Sequence, residues 1–150
     1  GHVHVSEGGL TDFDVIAQDM ADDCTRHDMR EIGFDPALAM YYAGKQLEAG
    51  RPMVEIGQRA LFFTQALLQV EALVKAGKLR HPDNPVFNWM IANLVVVKSK
   101  FNELMQPTKD RDDDKIDGAI AMLIALGRAL LLAEPSEKSF WEEDEEEATA

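Results

Sequence analysis

The sequence predicts an α/β fold in which a short central sheet is flanked by helices. Short apolar segments at Glu31–Phe34, Met53–Ile56 and Leu94–Val97 alternate with segments whose apolar residues recur at helical spacing. Three or four strands are fewer than the roughly five or six of an average sheet, so we expect a sheet that lacks an edge. His2–Ser6 alternates and is compatible with an edge strand that pairs through its two valines.

Capping signals and apolar periodicity predict the helices of the first half. Thr11–Asp14 has the spacing of a capping box, with Asp in place of Glu, and the apolar repeat that follows predicts a helix to about Asp28. A second helix is predicted from Ala37 to about Glu48, closed by Gly50.

The longest predicted helices are those at Phe62–Lys75 and at the end of the body. Phe62–Lys75 is amphipathic, and a loop rich in helix breakers follows it at His81–Pro85. Residues 86–91 are predicted to form a helical turn, and Lys98–Asp114 a hairpin or a long polar loop. The final helix is predicted over Ile116–Leu132.

Charge and composition divide the chain into a body, residues 1–133, and an acidic tail, residues 134–150. The tail carries eight acids against one lysine, or −7 of the net −12, which leaves −5 for the body. We expect the tail to be a solvated, disordered extension. An acidic body argues against a free-standing nucleic-acid binder that relies on a basic face, but it is compatible with a site that meets phosphate through metal ions.

Cysteine content and hydropathy set the expected compartment. The single cysteine, Cys24, excludes an internal disulfide, and no secretory signal is visible. No apolar run reaches the ~18 residues that a membrane span requires. We therefore expect a reduced, cytoplasmic setting and no membrane partner.

The segment Asp112–Gly118 holds four carboxylates and one lysine where a polar loop meets an apolar helix. Mg²⁺ takes hard oxygen ligands of this kind, yet a run of acids such as Asp112, Asp113 and Asp114 is more often a solvated loop. Lys115 is suited to bond a phosphate, but a solvent-facing lysine among acids is the commoner case. Asp113 and Lys115 also give the Asp-x-Lys spacing of restriction-type nucleases, which requires a strand here.

Two further aspartates stand at predicted element junctions. Asp35 follows the strand that ends at Phe34 and precedes Pro36, so it lies at the strand's carboxyl end, where open α/β sheets place ligands. Asp117 begins the last helix. Taken singly, each is more simply explained as a helix cap or a helix-dipole partner.

The order of several segments resembles a known family over roughly residues 1–130. The most specific pieces are Asn84-Pro85 followed by Trp89, then Asn93-Leu-Val-Val-Val97, and Lys115-Ile-Asp-Gly118. Together with the junction Phe34-Asp35, they resemble the carboxyl-terminal half of the large terminase subunit of tailed bacteriophages and prophages.

This resemblance implies part of a ribonuclease-H-like nuclease domain that cuts concatemeric double-stranded DNA during genome packaging. The family uses two metal ions, Mg²⁺ or Mn²⁺, held by three acids; Asp35 matches the second acid and Asp117 the third. Lys115, Asp113 and Asp114 would face phosphate or support the ligands. The first acid and the ATPase domain would lie upstream of Gly1, so we expect little cleavage by this chain alone.

The resemblance also implies partners and a location. The small terminase subunit and the portal of the procapsid would bind the full-length protein in the cytoplasm of the bacterial host. The alternative hypothesis is a non-catalytic, acidic interaction module that docks in an assembly, which the net charge of −12 favours.

Overall fold

The computed structural model describes Val5 and residues 9–57 and 59–132. The elements run in the order Phe13–Arg26 (α1), Ile32–Phe34 (β1), Pro36–Glu48 (α2), Met53–Glu55 (β2), Ala60–Lys75 (α3), Pro85–Ala92 (α4), Leu94–Lys98 (β3), Met105–Lys109 (β4) and Asp117–Leu132 (α5). The predicted edge strand lies outside the described residues apart from Val5, which is exposed and belongs to no strand. The acidic tail also lies outside them. Within the described part, no helix is long and apolar enough to cross a membrane.

The strands form two pairs, which confirms the α/β class but separates the strands that the sequence had placed in one sheet. In the described part of the chain, β1 pairs only with β2, in parallel, with Gly33 opposite Val54. β3 pairs with β4 in antiparallel register, with Val96 opposite Pro107. Parallel strands need a crossover, which α2 supplies, whereas β3 and β4 follow one another closely enough to form a hairpin. Of the two predictions for Lys98–Asp114, the hairpin is therefore correct.

Helix ends follow the predicted signals with small shifts. Asp12 rather than Thr11 caps α1, because its Oδ1 accepts the backbone N–H groups of Asp14 and Val15 at 3.0 and 3.2 Å. Gly50, just after α2, has the positive φ of 80° that favours glycine at a helix end.

The core lies between α3 and α5. Phe63 and Leu123 are fully buried there, and Ile56 and Ala66 complete the centre with Ile124. α5 continues through Gly127, where the ring of Phe62 packs so closely that an added Cβ would lie 2.5 Å from its Cζ. This packing fixes α5 as the element against which β1 and the loops of the site are arranged.

Candidate active site

An open cleft of about 1280 Å³ lies between α1, β1, α5 and the loop that joins β4 to α5. Apolar side chains from three elements line part of it, including Ile16, Met20, Ile32, Ile120 and Ile124. Its acidic lining residues are Asp19, Asp23, Asp28, Glu31, Asp35, Asp114 and Asp117. Its basic lining residues are Arg30, Lys109, Lys115 and Arg128. Seven acids against four bases give the cleft a surplus of negative charge, which attracts cations and repels bare phosphate.

Asp35 lies at the carboxyl end of β1 and lines the cleft. It caps α2, since its Oδ1 accepts the backbone N–H of Ala37 at 3.1 Å, and Pro36 occupies the first helical position. The prediction that Asp35 caps a helix is therefore confirmed. It does not exclude a ligand role, because an ionised carboxylate offers about four lone-pair sites over its two oxygens.

Asp117 is the first residue of α5, and its exposed side chain lines the same cleft. The helix is already formed at this point, because Ile120 donates its N–H to the carbonyl oxygen of Ile116 at 2.9 Å. The positive end of the helix dipole favours an anionic group here. Both aspartates therefore border one cavity although 82 positions separate them in the sequence.

Contacts between β1 and α5 show how the two aspartates are aligned. Glu31 binds Arg128, and a Cβ on Gly33 would lie 2.7 Å from Cγ2 of Ile124, so strand and helix run in opposite directions. A strand advances about 3.3 Å per residue and a helix about 1.5 Å, so each step of two residues along β1 matches about four residues along α5. Continuing this alignment brings Asp35 alongside the first turn of α5, which begins at Asp117.

The loop before α5 differs from the solvated acidic run that the sequence predicted. Asp112 and Asp113 are exposed, as expected, but Asp114 is only 7% exposed and accepts the backbone N–H of Arg111 at 3.1 Å. The prediction of a solvated Asp114 is therefore wrong, because this carboxylate closes the turn that contains it. Asp114 and the exposed Lys115 line the cleft, whereas Asp113 is not among its lining residues.

The same loop excludes one alternative. Residues 112–113 form a turn, 114–116 are irregular, and α5 starts at Asp117. A restriction-type nuclease core built on Asp113 and Lys115 needs that segment to be a strand. The structure therefore overturns this hypothesis.

An ion pair that the sequence reasoning missed crosses the cleft wall. Arg128 donates to both carboxylate oxygens of Glu31, at 2.6 and 2.7 Å, and the two side chains are 24% and 19% exposed. The hydrogen bond from Arg128 lowers the pKa of Glu31, with burial opposing it, and the same bond raises the pKa of Arg128. The available signal was a single arginine within the apolar run that follows Asp117 and Gly118, since such a residue must find a partner when partly buried.

The donor chemistry of the cleft suits a divalent cation. Among the residues that the structure describes, no group of three or more His, Cys, Asp or Glu side chains is arranged to hold a metal ion. Mg²⁺, however, is commonly held by one or two protein carboxylates together with substrate phosphate and water. Asp35 and Asp117 supply two hard oxygen donors of that kind at one cleft.

Comparisons with known proteins identify the family of the chain. Residues 1–133 match the family model of the terminase large subunit, endonuclease domain. Protein YmfN of Escherichia coli (strain K12) is 27% identical over 132 residues, which cover 87% of this chain and 29% of that protein. The large subunit of the terminase of Enterobacteria phage HK97 is 27% identical over 132 residues, which cover 86% of this chain and 26% of that protein.

A solved structure gives the same result for the fold. The crystal structure of the HK97 bacteriophage large terminase superimposes with a TM-score of 0.73 at 26% identity, over 85% of this chain and 27% of that one. The chain thus spans less than a third of the length of the relatives it matches. Since the family model covers the whole of the body and the fold agrees, this chain belongs to the family of terminase large subunit endonuclease domains.

Proposed function

We propose that this chain is part of a metal-dependent endonuclease that cuts concatemeric double-stranded DNA during the packaging of a phage genome. In this proposal Asp35 and Asp117 are the residues that hold Mg²⁺ or Mn²⁺. The observation that supports it best is that Asp35, directly after β1, and Asp117, at the start of α5, line the same acid-rich cleft. Family membership supports the nuclease class.

In this proposal the residues of the cleft have different roles in phosphodiester hydrolysis. Asp35 and Asp117 would hold two divalent ions, which would supply an activated water and charge neutralisation at the departing 3′ oxygen of an in-line displacement. Asp35 and Asp117 supply the anionic oxygens that retain the ions. Lys115, exposed on the same cleft, attracts the DNA phosphate and offsets part of the charge that develops on it. Asp114 acts indirectly, because its carboxylate is occupied within its own turn.

Family membership also supports a proposal for the substrate and the protein partners. We propose double-stranded DNA as the substrate, and the small terminase subunit and the portal of the procapsid as partners of the full-length protein in the host cytoplasm. With two carboxylates at the site, we expect the 150-residue chain to bind metal weakly and to cut DNA slowly or not at all, because Mg²⁺ gives up its water shell reluctantly.

Metal-dependent thermal stabilisation tests the assignment without requiring turnover. Ligands that bind only the folded state raise its melting temperature, so Mn²⁺ is titrated against the parent chain, Asp35→Asn and Asp117→Asn. Asn keeps the shape but removes the negative charge, so each variant should lose most of the Mn²⁺-induced rise. Asp12→Asn is the matched control, since Asp12 is also an N-cap but does not line the cleft. If both site variants respond to Mn²⁺ as the parent does, the assignment is wrong.

The second candidate function is an acidic, non-catalytic docking module. The surplus of acids in the cleft and the net charge of −12 favour it. It predicts that millimolar Mn²⁺ leaves the melting temperature of the parent unchanged. It also predicts that partner binding survives replacement of Asp35 and Asp117, and a stabilisation by Mn²⁺ that either replacement abolishes would exclude it.

A further inference from the structure

The loop between β4 and α5, residues 110–116, controls where two groups of the site lie. It carries Lys115 into the cleft and leads directly to Asp117. One residue outside the loop, the half-buried Asn93 between α4 and β3, contacts both of its ends. The carbonyl oxygen of Asn93 accepts the N–H of Asp110 at 3.3 Å, and its side-chain Nδ2 donates to the carbonyl oxygen of Lys115 at 3.1 Å.

The interior of the loop is closed independently of Asn93. Asp114 donates its N–H to the carbonyl oxygen of Arg111 at 3.1 Å, which makes a four-residue turn, and its carboxylate accepts the N–H of Arg111 at 3.1 Å. Lys109 adds a bond from its Nζ to the carbonyl oxygen of Asp112. Because these bonds lie within the loop, its position relative to the rest of the fold depends on the contacts at its ends.

The end of the loop that leads into α5 is held by residues of α4 and of the junction that follows it. The carboxamide of Asn93 binds Lys115 one residue before Ile116, whose carbonyl oxygen accepts the first bond of α5. One turn earlier in α4, the sulfur of Met90 lies 3.1 Å from the N–H of Gly118. The start of α5 is therefore pressed against α4, and the amide of Asn93 fixes the direction in which the chain enters it.

We propose that Asn93 is a positioning residue of the site: its carboxamide, by holding the carbonyl of Lys115, sets the placement of Lys115 and Asp117 and thereby the affinity for the divalent cation. This inference rests on the proposed function of Asp117 but concerns a residue that touches neither metal nor substrate. Partners bonded directly to a metal ligand are worth about 10–100-fold in metal affinity. Asn93 acts two residues before the ligand, so the lower end of that range, about tenfold, is the effect expected here.

The test uses the 150-residue chain and two replacements at one position. Asn93→Ala removes the carboxamide, and Asn93→Asp keeps its volume but replaces the donor by a carboxylate that faces a carbonyl oxygen. The control is Asn88→Ala, on the same helix, because the amide of Asn88 donates to the exposed Asp83 at 2.7 Å and does not line the cleft. Should Asn93→Ala fail to fold, Asn93→Asp carries the test.

Two readouts separate positioning from general stability. The first is the Mn²⁺ concentration that gives half of the maximal rise in melting temperature, which should increase about tenfold or more in both Asn93 variants and stay at the parent value in Asn88→Ala. The second is hydrogen exchange in EDTA, which should become faster at residues 114–120 in the Asn93 variants while the amides of β1 and β2 are unchanged.

The possible results distinguish the positioning role of Asn93 from the proposed metal site itself. If the parent responds to Mn²⁺ and the half-saturating concentration is unchanged in the Asn93 variants, the positioning role is wrong even where the basal melting temperature falls. If the parent does not respond to Mn²⁺, the proposed function falls, and hydrogen exchange alone decides whether Asn93 orders the loop. Exchange at residues 114–120 that stays at the parent rate in both variants overturns the inference.

Discussion

Glu31 and Arg128 form a bidentate ion pair that joins the start of β1 to the last third of α5. The Nε and Nη2 atoms of Arg128 lie 2.6 and 2.7 Å from the two carboxylate oxygens of Glu31. The pair is partly buried in the wall of the cleft, and its two residues are 97 positions apart in the sequence. Because Asp35 directly follows β1 and α5 begins at Asp117, this contact contributes to the alignment on which the proposed site depends. The two groups of the pair are distant from the proposed chemistry but contribute to its geometry.

Glu31 should make folding stability depend on acid pH. Its pKa is lowered by Arg128 from the ordinary 4.5, so the pair stabilises the folded chain above about pH 4.5, and the contribution is lost as pH falls through the lowered value. Glu31→Gln should therefore melt below the parent at pH 7, and the difference should shrink as pH falls through the lowered pKa of Glu31. Melting curves between pH 3 and pH 7 measure it.

The control for this prediction is Glu71→Gln. Glu71 pairs with Lys75 on the surface of α3, where both side chains are more than half exposed, so its replacement should change the melting temperature much less at every pH. Equal changes in melting temperature for Glu31→Gln and Glu71→Gln would show that the Glu31–Arg128 pair stabilises the fold no more than a surface ion pair.

Gly127→Ala should destabilise the chain although alanine is the better helix former. A Cβ at this position would lie 2.5 and 2.7 Å from Cζ and Cε2 of Phe62, and overpacking of this kind costs about 1–3 kcal/mol. Gly44→Ala is the matched control, because Gly44 lies within α2 with nothing within 4 Å of an added Cβ. It should stabilise the chain by about 0.4–1 kcal/mol, as urea unfolding would measure.

Phe63→Ala should have one of the largest effects in the core. Its side chain is 0% exposed between α3 and α5, and truncation of such a phenylalanine costs about 3–5 kcal/mol in the free energy of unfolding. Phe101 is 98% exposed in the β3–β4 hairpin, so Phe101→Ala should stay within about 0.5 kcal/mol of the parent. Chemical denaturation of both variants compares them, and a core centred elsewhere would reverse the ranking.

Replacements at Asp35 should separate its role as a cap from its proposed role as a ligand. Asp35→Ala removes the acceptor of the N–H of Ala37 and should cost about 0.5–2 kcal/mol in EDTA. Asp35→Asn retains a good cap and should unfold close to the parent in EDTA, yet both variants should lose the response to Mn²⁺. An Asn variant that is as unstable as the Ala variant would show that the carboxylate stabilises the fold through its charge.

The local elements could be predicted from the sequence because their signals are local. Helix starts at Asp35-Pro36 and Asn84-Pro85 are set by a capping side chain and a proline in the first turn. The end of α2 before Gly50 follows from a residue that adopts positive φ without strain. The predicted bounds are shifted by only one or two residues, since neighbouring residues compete for the same cap.

The environments of Asp114 and Arg128 could not be predicted from the sequence. A run of three aspartates predicts a solvated loop, yet Asp114 is buried because its carboxylate replaces water with the N–H of Arg111. Arg128 lay within the predicted final helix with no partner assigned to it, and only the fold shows that Glu31 satisfies its charge. In both cases a specific hydrogen-bond partner decided burial, and a partner is not visible in composition or periodicity.

The sequence by itself determined the α/β class, the approximate bounds of the helices, and the choice of Asp35 and Asp117 as candidates at element junctions. Only the tertiary structure decided that the strands form two pairs and that Asp113 stays outside the cleft. Only the tertiary structure, too, aligned β1 with α5 so that residues 82 positions apart border one cavity. The reason is physical: caps and periodicity act over a few residues of backbone, whereas strand pairing, ion pairs and cleft walls depend on contacts between segments that the chain order does not specify.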